Sequence, residues 1–432
     1  VSPPFARSEQ SDRFAALLAI VAPLAETFAA AGFSLYLVGG IVRDQLLGRE
    51  LLPDGDLDLT TDATPSQIKR LVAPSATAVW TQGERFGTIG ARIDDRVVEI
   101  TTHRAEAYDS DSRKPTVAFS TKVVDDLSRR DFTVNAMAVE ARSGTLVDPF
   151  DGQHDLENGV LRTPLDPDVS FSDDPLRMLR AARFRAGYDL APEPALVASM
   201  QRLAPRLAIV SVERIRVELD KLVCLIDPTT GLELLVTTGV IDRFLPELHD
   251  PVLAVRAARA ATGAPRTLVA RVGALLHELD PRAVRARVAA LRYANDEQRR
   301  IVAVAGAWRS IMSPFDLSGL DGRVRRFVDA LGADTDIALA VARSAAAAPD
   351  AVLEMARIER FIERVHSLRA VEDLDDLRPA LGGAAVMAIL GIVPGPQVGA
   401  ASRYLLALRL DEGPLTATEA EARLRTWWRQ QA

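Results

Sequence analysis

The run Leu37-Val38-Gly39-Gly40-Ile41-Val42-Arg43-Asp44, with Asp56-Leu57-Asp58-Leu59-Thr60 close behind it, constrains this chain more than any other part. Tyr36, Leu37 and Val38 read as a short buried strand, the glycine pair lets the backbone turn with its amides exposed, and Arg43 opens a helical pattern. Such a turn is a cradle for phosphate. Strand alternation then places Asp56 and Asp58 on one face and Leu57 and Leu59 on the other. Two hard oxygen ligands so arranged suit Mg²⁺, which takes one or two carboxylates together with substrate phosphates. Asp54 has the same spacing to Asp56 and competes for the role. Asp56 and Asp58 are preferred because the leucines give that pair an inward face, whereas Gly55 gives Asp54 none. A Gly-Gly turn by itself is most often only a turn, and Asp-rich text after Pro53 a solvated loop. In combination they point to nucleotidyl transfer.

A chain of 432 residues is too long for one core and implies two or more domains. Its 48% apolar and 26% charged content is that of a soluble globular protein. No run of about 18 uncharged apolar residues occurs, and no basic segment leads into an apolar one at the start, so the expectation is a cytoplasmic protein without a membrane span. Cys224, the single cysteine, lies in an apolar run and reads as core. A net charge of −7 argues against a nucleic-acid partner, but residues 251–310 hold eleven arginines against Glu278, Asp280, Asp296 and Glu297. Arg282, Arg285, Arg287 and Arg292 in that stretch are the candidate RNA contacts. The competing reading is compositional, since the basic residues of the whole chain are overwhelmingly arginine.

Residues 12–31 show helical apolar spacing closed by Gly32, Thr64-Pro65 opens another helix, and strands over 87–93 and 96–101 join at Asp94-Asp95 as a hairpin. Glu99, opposite its apolar neighbours, is either a third metal-facing carboxylate or an edge-strand charge. The segment Arg104 to Thr116 has no hydrophobic period and predicts a mobile loop. Arg129-Arg130-Asp131 offers guanidinium groups for phosphate and a carboxylate for a ribose hydroxyl, or a surface ion pair at a helix start. Ser172-Asp173-Asp174-Pro175 predicts the start of a long helix, with Arg177, Arg180 and Arg183 drifting round one side. Asp174 is either a helix cap or a carboxylate free to meet a base. Residues 211–223 predict an amphipathic scaffold helix, and all text beyond is helical.

Gly-Gly-x-x-Arg-Asp, Asp-x-Asp-x-Thr, the run Arg129 to Ala138 and Asp173-Asp174-Pro175-Leu176-Arg177 together resemble the class II tRNA nucleotidyltransferase and poly(A) polymerase family, bacterial type. The resemblance implies an α+β chain: a nucleotidyltransferase head over 12–155, a helical neck over 156–225, an Arg-rich body over 226–310 and a helical tail over 311–432. It implies template-independent addition of CCA to the 3′ end of tRNA from CTP and ATP. Gly39, Gly40, Arg43, Arg130 and Asp131 would bind the nucleotide. Asp174 and Arg177 would read the base, with Arg180 and Arg183 assisting. In the family, the loop matching Arg104 to Thr116 is linked to terminal A addition, and His103 stands where an aromatic residue is usual. His277-Glu278 resembles in position a His-Asp phosphohydrolase doublet, but five histidines are too few for such a site. Gly391 to Gly399 resembles the glycine-rich turn of bacterial tails, a phosphate hold or a tight helix connection. The rival functions are CC-only addition, A-only addition, polyadenylation, and a catalytically silent RNA-binding protein of the same fold. The charged loop counts against CC-only addition, and the paired carboxylates against the silent protein.

Overall fold

Phe14, Leu17, Val21, Leu24 and Phe28 recur at helical spacing, and in the computed structural model they are all buried along α1 (Arg7–Ala30). The structure describes residues 7–49, 55–107, 116–313, 319–347 and 351–431. The stretch Arg13–Ala30 is long and apolar enough to cross a membrane by length and composition, with mean hydropathy 1.6. One face of it, Phe14, Leu17, Val21, Leu24, Ala25 and Phe28, is buried in the first unit, while Ile20 and Glu26 lie exposed, Glu26 pairing with Arg142 at 3.0 Å. That is the pattern of an amphipathic helix packed by one face.

Two units divide the chain, Val1–Val210 and Ser211–Ala432. In the first, β1 (Leu35–Val38) turns through Gly39 into α2 (Gly40–Leu46), followed by β2 (Leu57–Thr61) and α3 (Pro65–Val72). Then come β3 (Ala78–Trp80), β4 (Thr88–Ile93), β5 (Arg96–Thr102), β6 (Arg104–Ala107), β7 (Thr116–Phe119), α4 (Val123–Ser128), β8 (Ala138–Glu140) and β9 (Leu146–Val147). Seven strands form one mixed sheet in the order β3-β4-β5-β2-β1-β8-β9, and β2 runs parallel to β5 while its other partner β1 is antiparallel. The alternation in β2 holds: Leu57 and Leu59 are buried and Asp58 is exposed. Burying each leucine contributes about 1.5–3 kcal/mol, which fixes which face the carboxylates take. Asp94 and Asp95 close the β4–β5 hairpin, both at positive φ (46° and 64°), as a two-residue turn of the primed type demands.

The expected loop over Arg104 to Thr116 is a hairpin at its base. Arg104 pairs with Phe119 and Ala107 with Thr116; residues 108–115 lie outside the described residues, as does Asp54. Main-chain pairing needs no hydrophobic period, which is why the sequence pattern gave no sign of it. The hairpin is tied down where His103 N donates to Thr61 O at 2.7 Å and Ser120 N to His103 O at 2.8 Å.

After α5 (Gly152–Glu157) and β10 (Val160–Leu161), a helix not expected from the sequence, α6 (Pro167–Asp173), precedes the expected one, which begins just after Pro175 as α7 (Arg177–Tyr188). Asp174 between them is extended (φ −135°, ψ 95°), because a residue before proline is disfavoured in helical geometry. Then β11 (Ala191–Pro192) and α8 (Pro194–Leu203) complete this unit, which therefore takes in most of the expected neck.

The second unit is helical throughout its described residues, from α9 (Val212–Val223) and α10 (Thr229–Thr237) through α11 (Pro251–Gly263), α12 (Leu268–Leu275), α13 (Pro281–Ala290) and α14 (Asn295–Met312). It continues with α15 (Leu320–Leu331), α16 (Thr335–Ala345), α17 (Val352–Arg369), α18 (Gly383–Leu390), α19 (Pro396–Glu412) and α20 (Ala417–Gln431). Gly391, at φ 64°, ends α18, and Pro396 opens α19, so the glycine-rich stretch is a helix connection.

Candidate active site

Gly39 sits at φ 76°, and a Cβ there would meet Arg130 Nη1 at 2.7 Å and Asp58 Oδ2 at 4.0 Å. The turn after β1, the guanidinium from the end of α4 and the carboxylate on β2 therefore converge. The torsion favours glycine, and any Cβ there would have to displace the Arg130 guanidinium. Asp58 stands directly across from Glu99 on β5, in register, so the two carboxylates share a face about 4.8 Å apart at the backbone. Asp56 precedes β2 and is exposed.

Crowding by protein atoms pushes the Asp58 carboxyl above its ordinary value; Arg130 opposes this, and the negative charges of Glu99 and Asp56 add to it. Its surface nevertheless stays open to solvent. This is a place that asks for positive charge. Among the described residues no group of three His, Cys, Asp or Glu is gathered tightly enough to cage a metal ion. A divalent ion that takes one or two carboxylates and fills its shell with water and phosphate oxygens needs no such cage, so the donor set of Asp56 and Asp58, with Glu99 beside them, fits it.

Arg130 donates from Nη2 to Asp126 Oδ2 at 3.3 Å, one helical turn earlier, while its Nε is buried without a partner. Asp126 was missed in the sequence, although its spacing of four to Arg130 was there to be read. Asp131, expected to meet a ribose hydroxyl, is bonded to protein through both oxygens. Its Oδ1 accepts from Phe132 N and Asn135 Nδ2, each at 2.9 Å, and its Oδ2 from Arg180 Nε at 2.8 Å. Burial alone would raise this carboxyl; the Arg180 guanidinium and the Asn135 hydrogen bond outweigh it and hold the group below the usual carboxylate range. Asp131 is ionised and fully engaged by protein.

Arg43 is likewise enclosed, 5% exposed. It donates to Asn135 Oδ1 at 2.6 Å, to both oxygens of Asp44, and to the Tyr188 hydroxyl, and its guanidinium lies 4.0 Å from the centre of the Tyr188 ring. As the chain stands here Arg43 faces protein. Arg180 is committed to Asp131, and Arg183 lies over the Phe184 ring at 5.0 Å.

Asp174 Oδ1 accepts from Leu176 N at 3.2 Å, so the cap reading describes one of its oxygens. Arg177 opens α7 and donates to Ser170 Oγ at 2.8 Å, to Ser170 O at 3.4 Å and to the Arg129 carbonyl. A guanidinium carries five N–H donors, so these contacts leave it two for a ligand. His103, 1% exposed, places Nδ1 2.8 Å from Thr60 Oγ1 and packs against Tyr36 at 5.8 Å between ring centres, filling the family's usual aromatic position by a polar route.

Three arginines of the excess over residues 251–310 are taken up by acids elsewhere in the second unit. Arg287 is bidentate to Glu247, Arg292 pairs with Glu213, and Arg300 with Asp334, acids that lie outside the window from which the excess was counted. Arg282 and Arg285 remain exposed on α13. His277 is buried against Trp308, its Nδ1 lies 2.7 Å from Ala274 O, and burial lowers its pKa. Burial also raises the Cys224 thiol, away from the reactive thiolate.

Residues 35–162 match the family model of the poly A polymerase head domain, and residues 189–250 match that of the probable RNA and SrmB-binding site of polymerase A. The CCA-adding enzyme of Streptococcus gordonii is 40% identical over 227 residues, covering 52% of this chain and 55% of that one. Residues 35–162 therefore carry the poly A polymerase head domain. The CCA-adding enzyme of Latilactobacillus sakei is 37% identical over 243 residues, 56% of this chain and 59% of that one, so the match spans little more than half the length of these family members. The likeness in fold extends further. A solved CCA-adding enzyme from Bacillus stearothermophilus in complex with CTP covers 97% of this chain and 98% of its own, with a TM-score of 0.73 and 26% identity. The Thermotoga maritima CCA-adding enzyme complexed with tRNA_CCA shares the fold at a TM-score of 0.65 and 19% identity, covering 95% of each chain.

Proposed function

We propose that this chain restores the CCA end of tRNA from CTP and ATP without a nucleic-acid template. The observation that carries the reading is the convergence of Asp58, Arg130 and the Gly39 turn, with Glu99 alongside. It is supported by the similarity to enzymes named for CCA addition and to one solved with CTP. Asp56 and Asp58 would hold Mg²⁺, which when bound supplies charge for the attacking hydroxyl and the departing pyrophosphate. Arg130 meets the triphosphate, and the first amides of α2, which have no partners within the helix, face its oxygens. Asp174 accepts from the exocyclic amine that CTP and ATP share, and Arg177 donates to the neighbouring ring nitrogen.

The test uses tRNAs ending before CCA, after C and after CC, given CTP and ATP singly and together, with product lengths read on a gel. CTP alone should add two residues to the shortest end and stop; ATP alone should add one residue to the CC end only; both should complete three. Runs of A, CC without A, or no addition by the intact protein sink the reading.

Base selection has its own test. UTP presents an oxygen where the amine should be, and an unpaired buried charge costs about 1–3 kcal/mol, roughly tenfold to hundredfold in discrimination. Asp174→Asn keeps a capping side chain but can donate to that oxygen. It should leave thermal stability unchanged and gain UTP incorporation by about tenfold or more; wild-type behaviour with all nucleotides would make Asp174 a cap alone. For the tRNA surface, reversing Arg282 and Arg285 to Glu should weaken tRNA binding and reduce its salt slope by about one to two, since each lost phosphate contact releases fewer counterions. CTP binding should not move. An unchanged slope would remove α13 from the RNA surface.

A further inference from the structure

Tyr188 ends α7, the helix whose first turn carries Arg177, and no contact with the nucleotide was expected of it. Two guanidiniums lie over its ring, Arg43 at 4.0 Å and Arg49 at 4.5 Å, and it stacks on Phe184 at 5.2 Å with 28° between planes. Its hydroxyl accepts from Arg43 Nη2, and Arg43 lies in α2, the helix that follows the Gly39 turn. The contacts continue from there. Arg43 Nη1 donates to Asn135 Oδ1 at 2.6 Å, Asn135 Nδ2 to Asp131 Oδ1 at 2.9 Å, and Arg180 Nε to Asp131 Oδ2 at 2.8 Å. Arg180 is again on α7, two turns before Tyr188, about 12 Å along the axis.

The five side chains thus close a circuit that begins and ends on α7. A helix fixed at one point can swing about it; a helix fixed at two points that far apart cannot. Arg177 adds a third hold near the N-terminal end, through the Arg129 carbonyl. The distance between base and triphosphate is set by the nucleotide's own covalent frame, so reading a base edge requires the reading helix to keep a constant tilt against the phosphate turn. We infer that Tyr188 is a positioning residue that sets this tilt and so contributes to nucleotide selection, by joining the end of the base-reading helix to the helix of the phosphate turn. This rests on the base-reading role proposed above for Asp174 and Arg177.

Tyr188→Phe removes the hydroxyl and keeps the ring against both guanidiniums, so the fold is retained. Binding of CTP, UTP and inorganic tripolyphosphate is measured by calorimetry on the full chain, wild type and variant, beside thermal unfolding. Tripolyphosphate affinity and melting temperature should stay at wild-type values while the ratio of CTP to UTP affinity falls threefold to tenfold. Tyr188→Leu, which also removes the ring, should lower the ratio further. A full ratio in Tyr188→Phe overturns the inference, and so does a parallel loss of CTP and tripolyphosphate affinity, which would confine Tyr188 to the phosphate turn. If the wild type binds CTP and UTP alike, base reading itself fails and the inference goes with it. If the wild type discriminates and the variant discriminates equally, the inference alone fails.

Discussion

Asp58→Ala is expected to reduce nucleotide addition by roughly 10³-fold while leaving the protein folded, and no other single change in the first unit should separate activity from stability so widely. The carboxylate stands opposite Glu99 with Asp56 beside it, and its pKa is raised. A carboxyl raised in the fold is one whose ionised form the fold disfavours. Near neutral pH its removal therefore costs no stability and relieves repulsion. The sign follows from proton linkage: the variant's advantage is full above the raised folded pKa, fades as pH falls through it, and is gone below the ordinary value of 3.8, where wild-type Asp58 is protonated in both states. Single-turnover addition to a CC-ended tRNA, with melting curves from pH 4 to 8, checks both halves. An active variant would move the metal strand's role elsewhere; an inactive one that melts early would make Asp58 structural.

In the second unit, Glu372→Ala is expected to destabilise by about 3–5 kcal/mol, the largest stability loss anticipated for a charged residue here. Glu372 accepts from Arg325 Nε at 2.9 Å through one oxygen and from Arg409 Nη1 through the other, and all three side chains are less than a tenth exposed. They link α15, the segment after α17, and α19. Without the carboxylate two guanidiniums face each other in the interior, and the acceptors left to them among the described residues are long contacts such as Arg325 Nη1 to Leu410 O at 3.4 Å and Arg409 Nη2 to Asp373 O at 3.3 Å. For a unit of this size the loss corresponds to a fall of about 10 °C in melting temperature. Glu372→Gln keeps one acceptor and should lose less. Calorimetry on the full chain decides the matter, and a loss below about 1 kcal/mol would show that the two arginines find other partners.

Both predictions rest on charged side chains, and charge is where reading the sequence and seeing the structure part company. Arg287 and Arg292 looked like RNA contacts because no acid was close in sequence; their partners Glu247 and Glu213 come from other helices. Asp131, Arg180 and Arg43 looked like nucleotide contacts because they sit in the right motifs, yet they are bound to one another through Asn135 and Tyr188. A donor in a sequence looks the same whether its acceptor is a phosphate or a neighbouring helix.

What the sequence determined by itself was the periodic part. Alternation in Asp56 to Thr60 decided which face carries the carboxylates, since shifting the strand by one residue would put Leu57 and Leu59 into water. Asp94-Asp95 selected a two-residue hairpin, and Pro175 held Asp174 out of the helix. Each of these acts within a few residues of itself. The tertiary structure alone decided the partners across 49, 92 and 145 residues that join Arg180 to Asp131, Arg43 to Asn135 and Arg43 to Tyr188. Such pairs leave no period in the chain, because an ion pair requires only that two groups meet after folding, and nothing about either residue's neighbours records which partner it will meet.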